Sequence, residues 1–121
     1  MKHYRYEVSK RMEIAGAHKL NLPYESKCKN LHGHNWFITV YVGANELDND
    51  MVIDFAHIKK EIHGKLDHAY INEVVKINPT AENIGKWIAD TINKIRSGAH
   101  CFRVDVQESE GNIAIYRDIE E

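Results

Sequence analysis

Residues 32–44 read HGHNWFITVYVGA, a run rich in aromatic and β-branched side chains that opens with two histidines. Such a composition predicts a β-strand. Upstream, residues 4–18 mostly alternate apolar and polar side chains, which predicts another strand ending at His18. Because side chains on a strand repeat with period two, His18 is expected on the same face as the apolar set. The chain is therefore expected to begin with two strands whose histidines come together.

Two amphipathic helices are predicted after these strands. The first begins after Asp54, a residue typical of helix N-caps, and the second begins after Thr80 and ends at Gly98. The apolar residues at helical spacing in the first helix are Phe55, Ile58, Ile62 and Leu66. Those in the second are Ile84, Trp87, Ile88, Ile92 and Ile95. Both helices are expected to bury one face against a sheet.

The last part of the chain predicts a hairpin. Residues 100–109 and 112–117 alternate again on either side of Glu110-Gly111. The element order ββααββ indicates an α+β fold whose helices gather on one face of an antiparallel sheet. Since 121 residues are close to the commonest domain size, we expect residues 1–121 to form a single domain.

Composition excludes several classes of function. With 16 basic and 18 acidic residues, the net charge is −2, and the basic residues are scattered, so nucleic acid is not an expected partner. No apolar run approaches the roughly 20 residues of a membrane span, and the N-terminus lacks the apolar core of a signal peptide. We therefore expect a cytoplasmic protein without a membrane partner. Two cysteines are too few for a disulfide framework.

Three histidines form a candidate metal site. His32 and His34 lie two residues apart, so on an extended backbone both imidazoles point to one side. With His18 from the neighbouring strand, three nitrogens would leave one tetrahedral position open, as in a catalytic zinc site. The alternative is that His-Gly-His arises by chance in a chain with 8 histidines.

Cys28 precedes His32 by four residues and lies between Lys27 and Lys29. Cationic neighbours or a nearby metal favour the reactive thiolate. From the residues alone, Cys28 is equally well interpreted as a base or nucleophile, as a fourth ligand that closes a structural Cys-His₃ site, or as an inert thiol.

Two further carboxylates occupy unusual positions. Asp67 lies with His68 at the expected end of the first helix, where an acid opposes the helix dipole. Together they are candidates for a proton relay, or else a solvated helix end.

Glu108 is in phase with Val104 and Val106, where the strand pattern calls for an apolar residue. It is interpreted as an acceptor for the N–H edge of a guanidine-like ring, or as a strand end already in water.

Taken in order, six features resemble one family, the 6-pyruvoyltetrahydropterin and 6-carboxytetrahydropterin synthases. The resemblance runs from about residue 4 to residue 117. Its features are Ala17-His18, the segments 28–34 (CKNLHGH), 51–55 (MVIDF), 66–68 (LDH) and 78–83 (NPTAEN), and Glu108.

Membership of this family implies the T-fold, or tunnelling fold, in which two helices pack on one face of a four-stranded antiparallel sheet. It implies trimers that close a barrel, often stacked into a homohexamer, with each active site between subunits. It also implies Zn²⁺ as the cofactor and a pterin triphosphate as the substrate. The implied metal ligands are His18, His32 and His34. The implied catalytic residues are Cys28 as base, Asp67 and His68 as relay, and Glu108, which also binds the pterin; Thr80 is a further candidate pterin contact, although helix capping explains it equally well.

Two members of the family are candidates for the reaction. The spacing from Cys28 to His32 is similar to that of the bacterial 6-carboxytetrahydropterin synthases of queuosine biosynthesis. These zinc lyases convert 7,8-dihydroneopterin triphosphate to 6-carboxy-5,6,7,8-tetrahydropterin, releasing acetaldehyde and triphosphate. The alternative is a 6-pyruvoyltetrahydropterin synthase, which eliminates triphosphate from the same substrate. A third hypothesis is a non-catalytic zinc-binding scaffold in which Cys28 closes the metal shell.

Overall fold

The computed structural model describes residues 3–119. Within this range, four strands form an antiparallel ladder in the order β1, β2, β4, β5. Their bounds are Tyr6–His18 for β1, His32–Ala44 for β2, His100–Ser109 for β4 and Asn112–Arg117 for β5. The predicted bounds of β2, β4 and β5 are confirmed, and β1 begins two residues later than predicted.

A short additional strand corrects the expectation of a four-stranded antiparallel sheet. Strand β3, Ala69–Tyr70, pairs in parallel with β1, so the sheet in the described residues is mixed and has the order β3-β1-β2-β4-β5. The reason lies just before it. The N–H of Ala15 donates to Oδ1 of Asp67 at 2.9 Å, and the N–H of His68 donates to the carbonyl of Ala15 at 2.6 Å. These bonds hold the chain along β1, and a two-residue strand is too short to show alternation in the sequence.

The first predicted helix is present but irregular. It comprises α1 (Phe55–Ile58), a π-helical segment (Lys59–His63) and α2 (Gly64–Leu66). Asp54 caps it as predicted, because its Oδ1 accepts from the N–H of Ala56 at 2.9 Å. Ile58, Ile62 and Leu66 are fully buried, whereas Phe55 is 45% exposed, so its predicted burial was wrong.

The second predicted helix, α4, spans Ala81–Asn93. Thr80 caps it as predicted by accepting from the N–H of Asn83 at 3.1 Å. The predicted end at Gly98 is wrong, and the structure shows why. Oδ1 of Asn93 accepts from the N–H of Cys101 at 2.7 Å, which fastens the helix end to the start of β4, so the chain must turn in between.

Two short elements were not predicted, a 3₁₀ turn at Lys27–Lys29 and helix α3 at Ile71–Val74. The order ββααββ is therefore correct for the long elements and incomplete for these and β3. Within residues 3–119, none of the helices is both long enough and apolar enough to cross a membrane.

The core lies between the helices and one face of the sheet. Residues two apart on the strands, such as Ile14 on β1 and Trp36 and Ile38 on β2, are buried in the same cluster as Ile62 and Ile88 of the helices. The alternate strand residues point away from that cluster. The expectation that the helices share one face of the sheet is therefore confirmed, and the three histidines lie at one end of that face.

Candidate metal centre

The β1–β2 pairing brings the three predicted histidines together. His18 is the last residue of β1 and lies directly opposite His32, the first residue of β2. His34 follows on the same side of β2. The ring centroids are 4.5 Å apart for His18 and His32, 5.3 Å for His18 and His34, and 4.8 Å for His32 and His34. Antiparallel register and the two-residue repeat thus place three imidazoles around one point.

Backbone carbonyls orient two of the rings. Nδ1 of His18 donates to the carbonyl of Pro79 at 2.8 Å, and Nδ1 of His32 donates to the carbonyl of Asn30 at 2.7 Å. Since a carbonyl only accepts, the hydrogen of each ring is on Nδ1 and the lone pair is on Nε2. Histidines that ligate metals are commonly held in this way, because the second nitrogen fixes the tautomer and ring orientation.

The environment of His18 favours the neutral imidazole that a metal requires. His18 is fully buried. Burial lowers the pKa of His18 below its usual value of 6.5, and the neighbouring rings of His32 and His34 lower it further, although the Pro79 carbonyl and Glu108 act in the opposite direction. A neutral His18 offers its lone pair instead of a positive charge.

Two buried nitrogens lack hydrogen-bond partners among the described residues, Nε2 of His18 and Nε2 of His34. A buried polar atom without a partner costs about 1–3 kcal/mol, so native structures rarely leave such atoms unexplained. An ion at the centre of the cluster would use both lone pairs. This is the observation in the structure that best supports a metal site.

Glu108 supplies a fourth candidate ligand. Its Oε1 lies 2.9 Å from Nε2 of His34 and 3.4 Å from Nε2 of His18, and one ligand atom from each of the four residues lies within 4.8 Å of the others. Ligand atoms on a tetrahedral zinc are roughly 3.4 Å apart, given zinc–ligand bonds near 2.0 Å. Three imidazole nitrogens and one carboxylate oxygen are also ligands that zinc accepts.

Gly16 and Trp36 form the base of the cluster. Nε1 of Trp36 donates to the carbonyl of Gly16 at 3.1 Å, and the Trp36 ring packs edge-on against His18 and His34, with centroids 4.9 and 5.1 Å apart. A Cβ on Gly16 would lie 3.0 Å from Cδ1 of Ile71 and 3.3 Å from the carbonyl oxygen of Leu66. The absence of a side chain at Gly16 therefore lets the helical layer pack closely beneath the histidines.

Cys28 lies near the metal centre but outside the ligand cluster that the described residues form. It is partly buried in the 3₁₀ turn. The carbonyl of Cys28 accepts from the N–H of Leu20 at 2.8 Å, so the turn is fastened two residues beyond His18. Among the described residues, Glu108 and not Cys28 lies within reach of the three histidines.

Asp67 and His68 are also outside that cluster in the same chain. The N–H of Ala15 holds the pKa of Asp67 below its usual value, and His68 and His63 contribute in the same direction. Nε2 of His68 lies 3.8 Å from Oδ2 of Asp67, and the His68 side chain is 80% exposed. A groove of about 540 Å³ runs from His68 to the strand segment around His34.

A family model described as 6-pyruvoyl tetrahydropterin synthase matches residues 7–119. The chain belongs to this family. The resemblance inferred from six sequence features is thereby confirmed.

Named relatives include both types of synthase. The 6-carboxy-5,6,7,8-tetrahydropterin synthase of Bacillus subtilis is 28% identical over 126 aligned residues, which cover 94% of this chain and 86% of that protein. The human 6-pyruvoyl tetrahydrobiopterin synthase is 31% identical over 134 aligned residues, covering 92% of this chain and 90% of that protein. The solved structure of Caenorhabditis elegans 6-pyruvoyl tetrahydropterin synthase has a TM-score of 0.72 at 24% identity, covering 98% of this chain and 100% of the other, which shows a shared fold.

Sequence reasoning missed the groups that orient the site. The carbonyls of Pro79 and Asn30 hold two of the histidines, and a backbone carbonyl leaves no residue-type signal. The approach of Glu108 to the histidines was also not predicted, although its phase on β4 indicated that it points inward. The Thr80 hydroxyl serves as a helix cap, which is the alternative to a pterin contact.

Proposed function

We propose that this chain is a zinc-dependent lyase that converts 7,8-dihydroneopterin triphosphate and one water molecule to 6-carboxy-5,6,7,8-tetrahydropterin, acetaldehyde and triphosphate, in cytoplasmic queuosine biosynthesis. The observation that carries the proposal is the pair of buried nitrogens of His18 and His34, which form no hydrogen bond with the described residues and face the carboxylate of Glu108, in a chain of this family. The spacing from Cys28 to His32 and the name of the Bacillus subtilis relative favour the 6-carboxy product.

The residues present fit zinc. His18, His32 and His34 would hold the ion through nitrogen, with Glu108 beside it. When bound, zinc acts as a Lewis acid that polarises substrate hydroxyls and stabilises developing negative charge. The chain contributes a dry, apolar base to the site, since Trp36 is only 1% exposed, and an apolar surround strengthens electrostatic interactions.

Cys28 is assigned as the base that removes a proton from the substrate side chain. Its turn is tied to Leu20, next to the metal centre. Lys27 and Lys29 flank it, and cationic neighbours favour the thiolate form that a base requires. With three histidine nitrogens and Glu108 already clustered, the metal does not need the sulfur as a ligand.

Asp67 and His68 are assigned to a proton relay. The hydrogen bond from Ala15 keeps Asp67 ionised, so it can fix the tautomer of a neighbouring imidazole. His68 adopts a positive φ of 57°, a conformation that costs a non-glycine residue energy and that clusters at functional sites. Since the exposed His68 lies outside the histidine cluster of its own chain, the relay is proposed to serve the site of a neighbouring subunit.

Glu108 is assigned to binding the pterin ring, whose adjacent N–H donors suit a carboxylate. Its side chain is 27% exposed, so one oxygen can lie near the metal while the carboxylate still reaches a ligand in the cleft. Thr80 is a weaker candidate for a pterin contact, since its hydroxyl already caps α4.

The protein is proposed to be a homo-oligomer, a trimer or a homohexamer of stacked trimers. Strand β5 lies at one edge of the sheet, and Ile113 and Ile115 on it are 56% and 45% exposed. An edge strand with exposed apolar side chains is prone to pair with another chain, and barrel closure between subunits would cover it.

Product analysis tests the reaction directly. The zinc-loaded protein is incubated with 7,8-dihydroneopterin triphosphate, and acetaldehyde, triphosphate and pterins are quantified. Equimolar acetaldehyde and 6-carboxytetrahydropterin are expected. A pyruvoyl product without acetaldehyde would contradict the proposal and support the rival synthase, which the human relative favours. Metal binding without turnover would support the non-catalytic scaffold.

A further inference from the structure

Three lysines line one groove next to the metal centre. Lys19 follows His18 at the end of β1, Lys29 is in the 3₁₀ turn beside Cys28, and Lys76 follows α3. The groove has a volume of about 530 Å³, which is within the range of roughly 300–1,000 Å³ for small-molecule sites. No acidic residue is among the described residues that line it.

The charges of these lysines are poorly compensated. Within residues 3–119, Lys19 and Lys76 form no ion pair, and Nζ of Lys29 lies 3.7 Å from Oε1 of Glu25, whose side chain is 99% exposed. An exposed pair of this kind contributes little because water and salt screen it. Cations gathered in a cleft without carboxylates create a positive potential that attracts anions.

Two asparagines make the wall of the groove rigid. The N–H of Lys19 donates to Oδ1 of Asn72 at 3.0 Å, and Nδ2 of Asn72 donates to the carbonyl of Lys19 at 2.9 Å. Asn78 holds Asn21 in the same two-point manner, at 2.8 and 3.0 Å. The chain after β1 is thereby fixed against α3, through Asn72, and against the segment after it, through Asn78. A site formed in advance of binding reduces the ordering cost of a ligand.

The groove adjoins the proposed active site through two of its lining residues, Pro79 and Leu20. Pro79 lines it, and the carbonyl of Pro79 is the group that accepts from Nδ1 of His18. Leu20, also in the lining, is bonded to the carbonyl of Cys28. A substrate whose side chain reaches the metal would therefore extend its phosphates toward the three lysines.

We propose that the groove binds the triphosphate chain of the substrate through Lys19, Lys29 and Lys76. The proposal rests on the proposed function, because it takes the substrate to be a pterin triphosphate. Three separate point charges from three elements suit a chain of several phosphates. The same cations would stabilise triphosphate as it leaves with additional negative charge.

Calorimetric titration of inorganic tripolyphosphate into the full-length, zinc-loaded protein tests this. Lys19→Gln/Lys76→Gln removes two groove charges at exposed positions. Lys59→Gln/Lys60→Gln removes two charges from exposed positions of the π-helical segment as the matched control, and Lys60→Gln is the control for Lys76→Gln alone. Zinc itself attracts phosphate, so the test compares the tripolyphosphate affinities of the variants with that of the wild type. Zinc content is measured before and after each titration.

Lys19→Gln/Lys76→Gln is expected to bind tripolyphosphate about tenfold more weakly than the wild type, with a shallower dependence on salt, while Lys59→Gln/Lys60→Gln and Lys60→Gln bind like the wild type. Lys76 is remote in sequence from His18, so Lys76→Gln alone should keep its zinc content. It is expected to show part of the loss of tripolyphosphate affinity. Equal affinity of the wild type and Lys19→Gln/Lys76→Gln would overturn the groove assignment, as would an equal loss in Lys59→Gln/Lys60→Gln. Tripolyphosphate binding that depends on the lysines, without acetaldehyde production, would overturn the proposed reaction and leave the anion site standing.

Discussion

Histidines lie near both ends of strand β2, because His18 pairs with His32 at its start and His100 of β4 pairs with Gly43 near its end, and the two ends differ in how the ring nitrogens are used. At one end, His18 and His34 keep a buried nitrogen without a hydrogen bond. At the other end, His100 is satisfied on both sides, because Nε2 donates to Asp118 at 2.7 Å and Nδ1 pairs with the hydroxyl of Tyr4. Histidine content alone therefore does not identify a metal site, whereas converging ring nitrogens without hydrogen bonds make one end of the strand the candidate.

The largest expected difference between the two ends is in metal content. His18→Ala should lose nearly all bound zinc, because two imidazoles rarely hold an ion without a third ligand, and His32→Ala and His34→Ala should do the same. His100→Ala should keep about one zinc per chain. Atomic absorption on the purified variants measures this. Full zinc occupancy in His18→Ala would remove His18 from the site.

The two cysteines lie toward opposite ends of strand β2, Cys28 near the three histidines and Cys101 next to His100, and only Cys28 is expected to affect activity. Cys28→Ala should lower kcat by about 10²–10⁴-fold, as expected for loss of a general base, and should keep its zinc. Cys101 is fully buried at the start of β4, and burial raises its pKa to about 12, so it should resist alkylation near neutral pH while Cys28 reacts and is protected by pterin. Loss of zinc together with unfolding in Cys28→Ala would instead indicate a structural ligand.

Packing beneath the metal centre predicts a smaller effect on stability. Gly16→Ala should reduce the free energy of unfolding by about 1–3 kcal/mol, the usual cost of overpacking, because its Cβ would lie 3.0 Å from Ile71. Gly33→Ala is the matched control on the paired strand, where a Cβ would come no closer than 3.9 Å to the carbonyl oxygen of Gly16. Urea unfolding of the two variants measures the difference. Equal losses would show that the close approach of the helical layer to Gly16 is unimportant.

The pH dependence of the zinc-free protein gives the smallest expected effect. Burial lowers the pKa of folded His18 below 6.5, so the unfolded chain takes up a proton first as the pH falls. Above about pH 6.5, the contribution of His18 to the free energy of unfolding is fully present. As the pH falls toward the pKa of His18 in the folded protein, that contribution is lost, by at most about 1.4 kcal/mol per pH unit. Urea unfolding at pH 7.5 and 5.5 should show this loss, and His18→Gln should show less of it. An identical pH dependence in His18→Gln would rule out His18 as its source.

Local pattern was sufficient to predict the long elements and the histidine cluster. The two-residue repeat of β1 and β2 placed His18, His32 and His34 on one side, and the caps at Asp54 and Thr80 located the helix starts. Strand β3 and the early end of α4 could not be predicted, because they depend on contacts distant in sequence, from Asp67 to Ala15 and from Asn93 to Cys101. The same holds for the Pro79 carbonyl, which orients His18 from 61 residues away.

The central claim is that three histidine nitrogens, without a sulfur, hold a catalytic metal, with the carboxylate of Glu108 beside it. X-ray absorption at the zinc edge of the wild-type protein tests it most directly, because zinc–sulfur bonds near 2.3 Å are distinguishable from zinc–nitrogen and zinc–oxygen bonds near 2.0 Å. We expect a first shell of nitrogen and oxygen only, with imidazole scattering from three rings. A sulfur in the first shell, or a protein that binds no zinc, would contradict the account.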